Sequence, residues 1–285
     1  MKRDGARAAG IGIRSAALYA AALGTLFPLY WIVATALRSP KGVFATPPRL
    51  LPHGLSVSVF HTLFSYNSSF GGYLGREIAN SLTVSVVGAV VSCLLAVPLA
   101  WLLAYRFTRA LRTVVQSGVI LVRVVPAVLI LPSLYIFENA LHTVDTIPGL
   151  LLVYIPMGVP FAVWLFSTFF SSIPRSVIEA AEVDGASDLG LIRHVVVPVS
   201  LPAMVSTLIL SFITVWNEFM FASVLEQTPR SITLPIAISQ LQSFQGVQWQ
   251  LIAGEATLMI IPGVIMVALG YSWIKAGMVD GAVKA

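Results

Sequence analysis

Long apolar runs dominate the chain and alternate with short segments that hold most of its charged residues. A helix that crosses a bilayer needs about 20 mostly apolar residues. Six runs meet this requirement, at residues 15–37, 78–105, 114–137, 147–170, 199–224 and 251–274. The pattern therefore predicts an all-α integral membrane protein with six transmembrane helices and both termini on the same side of the membrane.

The distribution of Lys and Arg predicts the orientation, because positively charged flanking segments resist translocation. With the N-terminus inside, eleven of the 17 basic residues lie on the cytoplasmic face, five lie outside, and Arg123 lies within a span. The predicted organisation is a cytoplasmic segment at 1–14, a six-helix transmembrane domain at 15–275 and a cytoplasmic tail at 276–285. The run at 15–37 exceeds the apolar part of a signal peptide, so we expect it to be retained.

Composition supports a location in the bilayer. Of the 285 residues, 57% are hydrophobic and 10% are charged, whereas soluble domains are about 45–50% apolar. The net charge of +5 would suggest a nucleic-acid partner in a soluble protein. Here the basic residues lie between apolar runs, so we expect a lipid bilayer and no nucleic acid. Cys93 is the single cysteine, which excludes an intrachain disulfide and a cysteine-based metal cluster.

The densest charged stretch lies between the fourth and fifth predicted spans, at residues 171–198. Ser171 or Ser172 can cap a helix here. Gly185 permits the left-handed conformation that ends a helix, and Ser187 can cap a second one. The segment therefore predicts a helix, a glycine hinge and another helix.

One face of the first of these helices is largely small or apolar. By their three- and four-residue spacing, its members are Ile178, Ala181, Glu182 and Gly185. Small residues on this face would let another backbone or side chain approach closely. A cytoplasmic loop whose charges only keep it solvated accounts for the same spacing equally well.

The order of residues in this loop resembles a known motif. The loop reads Glu179-Ala180-Ala181, three residues, Gly185, nine residues, and then Val195-Val196-Val197-Pro198. This spacing is similar to the EAA loop of the inner-membrane permeases of binding-protein-dependent ABC importers. Asp184-Gly185-Ala186 resembles the Asp-Gly-Ala common in that loop, whereas valines replace the apolar residues of the family's Ile-x-Leu-Pro ending.

Other segments resemble the carbohydrate, maltose-type branch of that family. They are Asn80-Ser81-Leu82, Pro160-Phe161-Ala162-Val163-Trp164, Trp216-Asn217-Glu218-Phe219 and the tail at 277–284. The resemblance implies a type I ABC importer permease that forms half of the translocation pathway for a sugar or related solute. It also implies a location in the bacterial cytoplasmic (inner) membrane.

The resemblance further implies the partners of the chain. They are a second homologous permease, an ABC ATPase dimer that binds ATP and Mg, and an external solute-binding protein. The EAA segment would form a coupling helix that contacts the ATPase through Glu179, Ala180, Ala181, Asp184, Gly185, Ala186 and Pro198. The tail near 281–284 would reach toward the ATPase dimer, and the loop at 226–250 would face the binding protein.

Charged residues in or near the spans are candidates for function, because an ionised group in a bilayer costs a few kcal/mol. Arg123, Glu218 and Glu255 are such residues, and with Trp216 and Asn217 they are candidates for the pathway or for subunit assembly. An ion-coupled secondary transporter is the alternative, with the three charged residues as its relay. That alternative leaves the pattern of the loop unexplained.

Enzymatic chemistry is not expected from the chain. An intramembrane enzyme needs a nucleophile with a base, or metal ligands, placed together, and no such arrangement occurs in the sequence. The chain also has no Gly-x-x-x-x-Gly-Lys-Ser/Thr phosphate loop. We therefore expect no catalytic site, metal or cofactor in the chain itself, and a separate ATPase that supplies the energy.

Overall fold

The computed structural model of the protein describes residues 2–52, 54–65, 73–243 and 246–282, and within these it leaves out the side chains of 2–13, 120, 123, 243, 246 and 272–282. The helices are α1 (Lys2–Ala36), α2 (Pro40–Val43), α3 (Ser58–Phe64), α4 (Leu74–Trp101), α5 (Arg109–Val124), α6 (Ala127–Ala140), α7 (Ile147–Phe170), α8 (Arg175–Val183), α9 (Asp188–Leu191), α10 (Val197–Trp216), α11 (Ala222–Leu225), α12 (Leu234–Gln240) and α13 (Trp249–Ala282). Two antiparallel strands of two residues each, β1 (Gln242–Ser243) and β2 (Gly246–Val247), form a small ladder. The predicted all-α fold class is confirmed.

Five helical stretches in the described part of the chain are long and apolar enough to cross a membrane. They are Arg14–Ala36, Leu74–Arg106, Ile147–Phe170, Asp188–Trp216 and Trp249–Tyr271. These correspond to the first, second, fourth, fifth and sixth predicted spans. Two of them contain a π-helical turn, at Leu102–Arg106 after α4 and at Ile192–Val196 before α10.

The third predicted span, at 114–137, is wrong as a single helix. α5 ends at Val124, Val125 adopts extended backbone angles (φ −64°, ψ 120°), and α6 begins at Ala127. Pro126 causes this break, because proline has no N–H and disfavours the helical conformation of the residue before it. Other prolines, such as Pro98 in α4, lie inside continuous helices, so the sequence pattern alone does not show which proline breaks one.

The fifth predicted span, at 199–224, ends earlier than its apolar pattern suggests. α10 stops at Trp216, and the helical conformation resumes only in α11. The Glu218 carboxylate accepts hydrogen bonds from the backbone amides of Phe221 (3.0 Å) and Ala222 (3.2 Å). One carboxylate thus satisfies amides that the interrupted helix leaves without carbonyl partners.

The chain forms two compact units, of which the first comprises residues 1–72 and 240–260. Its buried Arg38 places the guanidinium carbon 4.4 Å from the centre of the Trp31 ring. Arg38 also donates to the carbonyl of Arg49 (2.5 Å), and the Gln250 side chain donates to the carbonyl of Arg38 (2.5 Å). These contacts tie the segment after α1 to the start of α13 within this unit.

The second unit comprises residues 73–239 and 261–285, and α4, α7 and α10 pack together in it. One apolar cluster at the end of α4 and α7 includes Trp101, Phe166, Phe170, Ile178, Leu191 and Val196. A second cluster includes Val84, Leu150, Val153, Tyr154, Phe221 and Leu225. The first cluster takes in residues of α8, α9 and the following π-helical turn, so it positions the loop that resembles the EAA motif.

α4 and α7 approach closely where Gly158 faces Ser92. The Ser92 hydroxyl donates to the carbonyl of Ile155 (3.1 Å), which bridges the two helices. A Cβ atom on residue 158 would lie 2.5 Å from Ser92 Oγ and 3.0 Å from Ser92 Cβ. Small residues at such contacts allow helices in membranes to pack closely.

We predict that Gly158→Ala lowers the melting temperature of the detergent-solubilised protein. The added methyl group must displace Ser92 or separate the helices, and overpacking of this kind costs about 1–3 kcal/mol. Gly118→Ala in α5 is the matched control, because a Cβ there meets no neighbouring atom within 4 Å. Fluorescence-detected gel filtration after heating measures both variants. Equal melting temperatures for the two would contradict the close contact.

Candidate functional site

The loop between α7 and α10 begins without the predicted serine cap. The hydroxyls of Ser171 and Ser172 donate back to the carbonyls of Ser167 (2.7 Å) and Phe169 (2.6 Å), so they complete the end of α7. α8 starts after Pro174, whose φ of −57° suits the entry to a helix. The predicted cap at Ser171 or Ser172 is therefore wrong.

The predicted glycine hinge is confirmed at Gly185, which has φ +84°. The amide of Gly185 donates to the carbonyl of Glu182 (3.0 Å), and the amide of Ala186 donates to that of Ala181 (3.0 Å). This pattern ends α8 in the manner of a Schellman motif. The hydroxyl of Ser187 then accepts from the amide of Gly190 (3.3 Å), as predicted for the cap of the second helix.

Two members of the small and apolar face of α8, Ile178 and Ala181, are turned toward the protein's own core, whereas Glu182 and Gly185 are exposed. Ile178 is buried within the cluster at the ends of α4 and α7, and Ala181 and Ala186 pack against that cluster half-buried. The close approach predicted for this face is thus made, at Ile178, by side chains of the protein's own core. Apolar spacing identifies a face that is buried, but it does not identify the neighbour that buries it.

The opposite face of α8 is exposed, and we call it the coupling face. It consists of Glu179, Ala180, Val183 and Asp184, and Gly185, which follows it, is exposed as well. The Val183 side chain is 88% exposed, which is unusual for an aliphatic residue between two acids. Sequence reasoning missed Val183, although its spacing from Glu179 and Ala180 places all three on one side of a helix.

Two other residues, which follow the glycine hinge along the chain, are exposed as well. Pro198, which the resemblance assigns to the ATPase contact, lies exposed in the first turn of α10. Leu189 in α9 is 73% exposed. The structure thus leaves Glu179, Ala180, Asp184, Gly185 and Pro198 accessible among the residues predicted for coupling, and it half-buries Ala181 and Ala186.

Arg106, the last residue of the π-helical turn after α4, contacts both helices of the loop. One guanidinium nitrogen lies 2.7 Å from Glu182 Oε1. The guanidinium also pairs with Asp188, whose Oδ1 accepts from Nε at 3.1 Å. The guanidinium carbon lies 5.4 Å from the centre of the Trp101 ring. No pattern in the sequence indicated this contact, because Arg106 is far from both acids along the chain.

Neighbouring residues fix the end of α7 in the same region. The Tyr105 hydroxyl lies 2.5 Å from the carbonyl of Phe170 and 3.3 Å from that of Ile173. Arg112 in α5 donates to the hydroxyl of Ser171 (2.8 Å). Both side chains therefore hold the point at which the loop leaves the membrane-spanning helix.

The structure brings together two of the residues predicted for the pathway or for assembly. Trp216 is buried and stacks on Phe212, with 5.7 Å between ring centres. Glu218 accepts a hydrogen bond from the Tyr154 hydroxyl (2.6 Å). Trp216, Glu218 and Tyr154 line a narrow crevice with Ser81, Ser85 and Thr233. Asn217 is exposed and donates to the carbonyl of Ile213 (2.8 Å).

The remaining two candidates are Glu255 and Arg123. Glu255 is 3% exposed and belongs to the first unit. Arg123 lies in the last turn of α5, and its side chain is outside the described residues. The proposed relay of Arg123, Glu218 and Glu255 therefore stays a prediction as an assembled site.

A carboxylate in the connection between α6 and α7 holds the segment that follows α11. Asp145 accepts from the backbone amides of Gln227 and Thr228 (2.9 Å each) and from the hydroxyls of Thr228 and Ser231 (2.6 Å each). Burial disfavours the charged form of Asp145. The hydrogen bonds outweigh this effect, so the pKa of Asp145 lies below its ordinary value.

A second carboxylate, Glu226, lies in the segment after α11 and contacts a later residue of the same segment. It is buried and accepts from the amide of Thr233 (2.7 Å). Burial raises the pKa of Glu226 to about 7, the Thr233 bonds oppose this rise, and the nearby carboxylates of Glu218 and Asp145 add to it. Asn80 in α4 donates to the carbonyl of Ile232 (3.0 Å). The segment is therefore an ordered part of the second unit.

Long apolar helices joined by a capped helix–glycine–helix loop define the chain as a helical membrane protein. The particular family follows from comparison with known proteins. Residues 96–278 match the family of the binding-protein-dependent transport system inner membrane component. The chain belongs to this family and is a permease subunit of an ABC importer.

Curated relatives of the chain are permease proteins of similar length. Trehalose transport system permease protein SugB of Mycobacterium tuberculosis is 29% identical over 91% of this chain and 92% of its own length. Trehalose/maltose transport system permease protein MalG of Thermococcus litoralis is 29% identical over 91% of each chain. Inner membrane ABC transporter permease protein YcjP of Escherichia coli is also 29% identical over 91% of each chain.

Solved structures of ABC transporters share the fold. A chain of a bacterial ABC transporter involved in the import of the acidic polysaccharide alginate superposes with a TM-score of 0.74 at 22% identity, and the match covers 94% of this chain and 97% of that one. A chain of the MetNI methionine ABC transporter superposes with a TM-score of 0.61 at 17% identity, over 78% of this chain and 99% of that one.

We predict that Gly185→Val destabilises the loop whereas Gly185→Asn is tolerated. A Cβ on residue 185 meets no atom within 4 Å, so the penalty arises from the backbone alone. A left-handed conformation costs an ordinary residue about 1–2 kcal/mol, and asparagine adopts it more readily than a β-branched residue. Limited proteolysis of the loop measures the effect, with Gly190→Ala as the control. Equal protection of the Val and Asn variants would contradict the hinge.

We also predict that Glu226 makes thermal stability depend on pH. Its folded pKa of about 7 exceeds the ordinary carboxyl value of 4.5, so its stabilising contribution is complete only below about pH 4.5 and declines as the pH rises from there. The contribution is lost as the pH rises through 7, and between pH 6 and 8 the loss is on the order of 1 kcal/mol. Glu226→Gln keeps the acceptor for Thr233 and should flatten the melting profile over this range. An unchanged pH slope in that variant would contradict the assignment, and Glu179→Gln is the exposed control.

Proposed function

We propose that the chain forms half of the translocation pathway for a small sugar or sugar derivative. Support comes from its relatives, because the names of SugB and MalG refer to trehalose and to trehalose and maltose. The chain covers about nine-tenths of each of these relatives. The proposed solute class therefore rests on similarity along the whole length rather than on one motif.

The observation that carries the mechanism is the exposed coupling face on a loop seated in the core. Glu179 and Asp184 flank the exposed Val183, so the face offers an apolar contact framed by negative charge. Such a face fits a groove with an apolar floor and basic rim on a partner ATPase. The apolar cluster that includes Ile178 and Leu191 joins the loop to α4 and α7. A displacement of the loop would therefore move these two helices.

The energy source in this proposal lies in another chain. The sequence contains no phosphate loop, so ATP and Mg would be bound by an ABC ATPase dimer and this chain would carry no catalytic site. A second homologous permease would complete the pathway, and an external solute-binding protein would deliver the solute. Opening and closing of the ATPase dimer would then alternate the access to the pathway.

The orientation that this mechanism needs agrees with the distribution of basic residues. The loop with the coupling face would lie in the cytoplasm together with both termini, in the bacterial cytoplasmic membrane. α1 starts at Lys2 and α13 continues to Ala282, so the described helices extend beyond the predicted domain limits at 15 and 275. Those limits stay predictions about the position of the membrane.

An ion-coupled secondary transporter is the less favoured function. Its relay needs ionisable groups that exchange protons or bind ions. Glu218 instead accepts hydrogen bonds from Tyr154, Phe221 and Ala222, which give it a structural role at the start of α11. The family membership of the chain favours the ATP-driven importer.

The direct test is affinity purification of the tagged chain from native membranes in mild detergent, with counting of the co-purified subunits. We expect a second permease and an ATPase pair. The solute-binding protein of the same system is then screened for thermal stabilisation by trehalose and maltose, with methionine as a control solute. A homo-oligomer without a nucleotide-binding partner would contradict the proposed function. Stabilisation by methionine and by neither sugar would contradict the solute class.

We predict that Val183→Glu weakens the association with the ATPase by about tenfold or more. The side chain is almost fully exposed, so the substitution leaves the fold intact and places a third acid between Glu179 and Asp184. Ser172→Glu adds the same charge at an exposed position outside the coupling face and serves as the control. Co-purification at several salt concentrations measures both variants. Equal ATPase retention would contradict the role of this face.

A further inference from the structure

Arg106 contacts the loop between α7 and α10 on both sides of the hinge at Gly185. Glu182, which lies 2.7 Å from the guanidinium, comes three residues before Gly185. Asp188, which accepts from Arg106 Nε at 3.1 Å, comes three residues after Gly185. A single side chain at the end of α4 thus joins α8 and α9 across the glycine that separates them.

The hinge needs such a contact if the loop is to transmit force. Gly185 has φ +84° and no atom within 4 Å of its Cβ position, so no neighbouring side chain supports the turn itself. A force applied at Val183 or Asp184 would change the angle between α8 and α9 instead of moving both helices, unless another contact joins the two helices. The fork of an arginine can hold two carboxylates in a fixed geometry, which a lysine cannot do.

The direction of Arg106 is set by the structure around it. The residue ends a π-helical turn, and its guanidinium lies over the ring of Trp101, a residue buried in the core cluster. A π-helical turn holds one residue more than an α-helical turn, and each residue rotates a helix by about 100°. The π-helical turn therefore decides which way residue 106 points.

We propose that Arg106 is a positioning residue that locks the hinge at Gly185, so that α8, α9 and the end of α4 move as one body when the ATPase moves the loop. This inference rests on the proposed coupling function. The ion pairs themselves are partly exposed, with 37% of the Arg106 side chain, 35% of Glu182 and 52% of Asp188 accessible. Pairs of this kind contribute little to stability, so the role of Arg106 concerns geometry.

Spin labels test the proposal in the assembled transporter. Leu94→Cys in α4 and Leu189→Cys in α9 place labels at two exposed sites in a Cys93→Ala background, with partner subunits that lack cysteine. Distances are measured by electron paramagnetic resonance without nucleotide and after trapping with ATP, Mg and vanadate. The labelled complex must still co-purify with its ATPase.

With Arg106 intact, we expect one narrow distance distribution that is the same in both states. Arg106→Gln should widen the distance distribution at least about twofold and make its mean shift on trapping. Co-purification and basal ATP hydrolysis should stay within about twofold of the values with Arg106 intact. Arg106→Lys should give an intermediate width, because it keeps the charge and loses the fork. Arg109→Gln, at an exposed arginine in the first turn of α5, is the matched control and should change nothing.

A second set of variants protects the test against a folding defect of the arginine variant. Glu182→Gln with Asp188→Asn should reproduce the broad distribution, and adding Arg106→Gln to that pair should broaden it no further. An unchanged narrow distribution in these variants, with vanadate trapping intact, would overturn the role of Arg106 and leave the proposed function standing. Absence of any ATPase or vanadate trapping with Arg106 intact would overturn the proposed function and this inference together.

Discussion

The constraint on which the rest of the structure depends is that hydrocarbon offers no hydrogen bonds to the backbone. Every N–H and C=O group within the membrane must be satisfied by the protein itself, and long helices are the simplest way to do so. The few interruptions are therefore informative. After α10 ends, the Glu218 carboxylate accepts hydrogen bonds from the amides of Phe221 and Ala222. The helix can therefore stop and restart without leaving these amides unpaired.

The same constraint shapes the loop between α7 and α10, which lies at the end of the helices rather than among them. Its backbone is satisfied locally, by the Schellman pattern at Gly185 and by the cap at Ser187. Its apolar side, with Ile178 and Leu191, completes the cluster at the end of α4 and α7. The loop is thereby packed against the transmembrane core on one side and exposed on the other.

Sequence reasoning succeeded where one local rule decides the outcome. Apolar length predicted the helices, and Gly185 and Ser187 predicted the hinge and the cap. It did not show which proline breaks a helix, since Pro126 does so and Pro98 does not. It also did not show which neighbours bury Ile178.

The charged residues near the core were also beyond the reach of the sequence. The contact of Arg106 with Glu182 and Asp188 joins segments that are far apart in the chain, and the hydrogen bonds of Asp145 reach residues after α11. Charge and hydropathy locate such residues along the chain, but they do not show which partners these residues contact. Only the folded arrangement supplies that information.

These charges also bear on how the protein is driven. A carboxylate that moves ions must gain and lose partners during transport, whereas Glu218 is held by a tyrosine hydroxyl and two backbone amides. In the described structure, the polar group at the end of α10 is thus committed to maintaining the fold. The accessible acids lie instead on the coupling face, around Val183. The distribution of charge therefore favours a membrane core that responds to force applied at its loop over one that responds to ions within it.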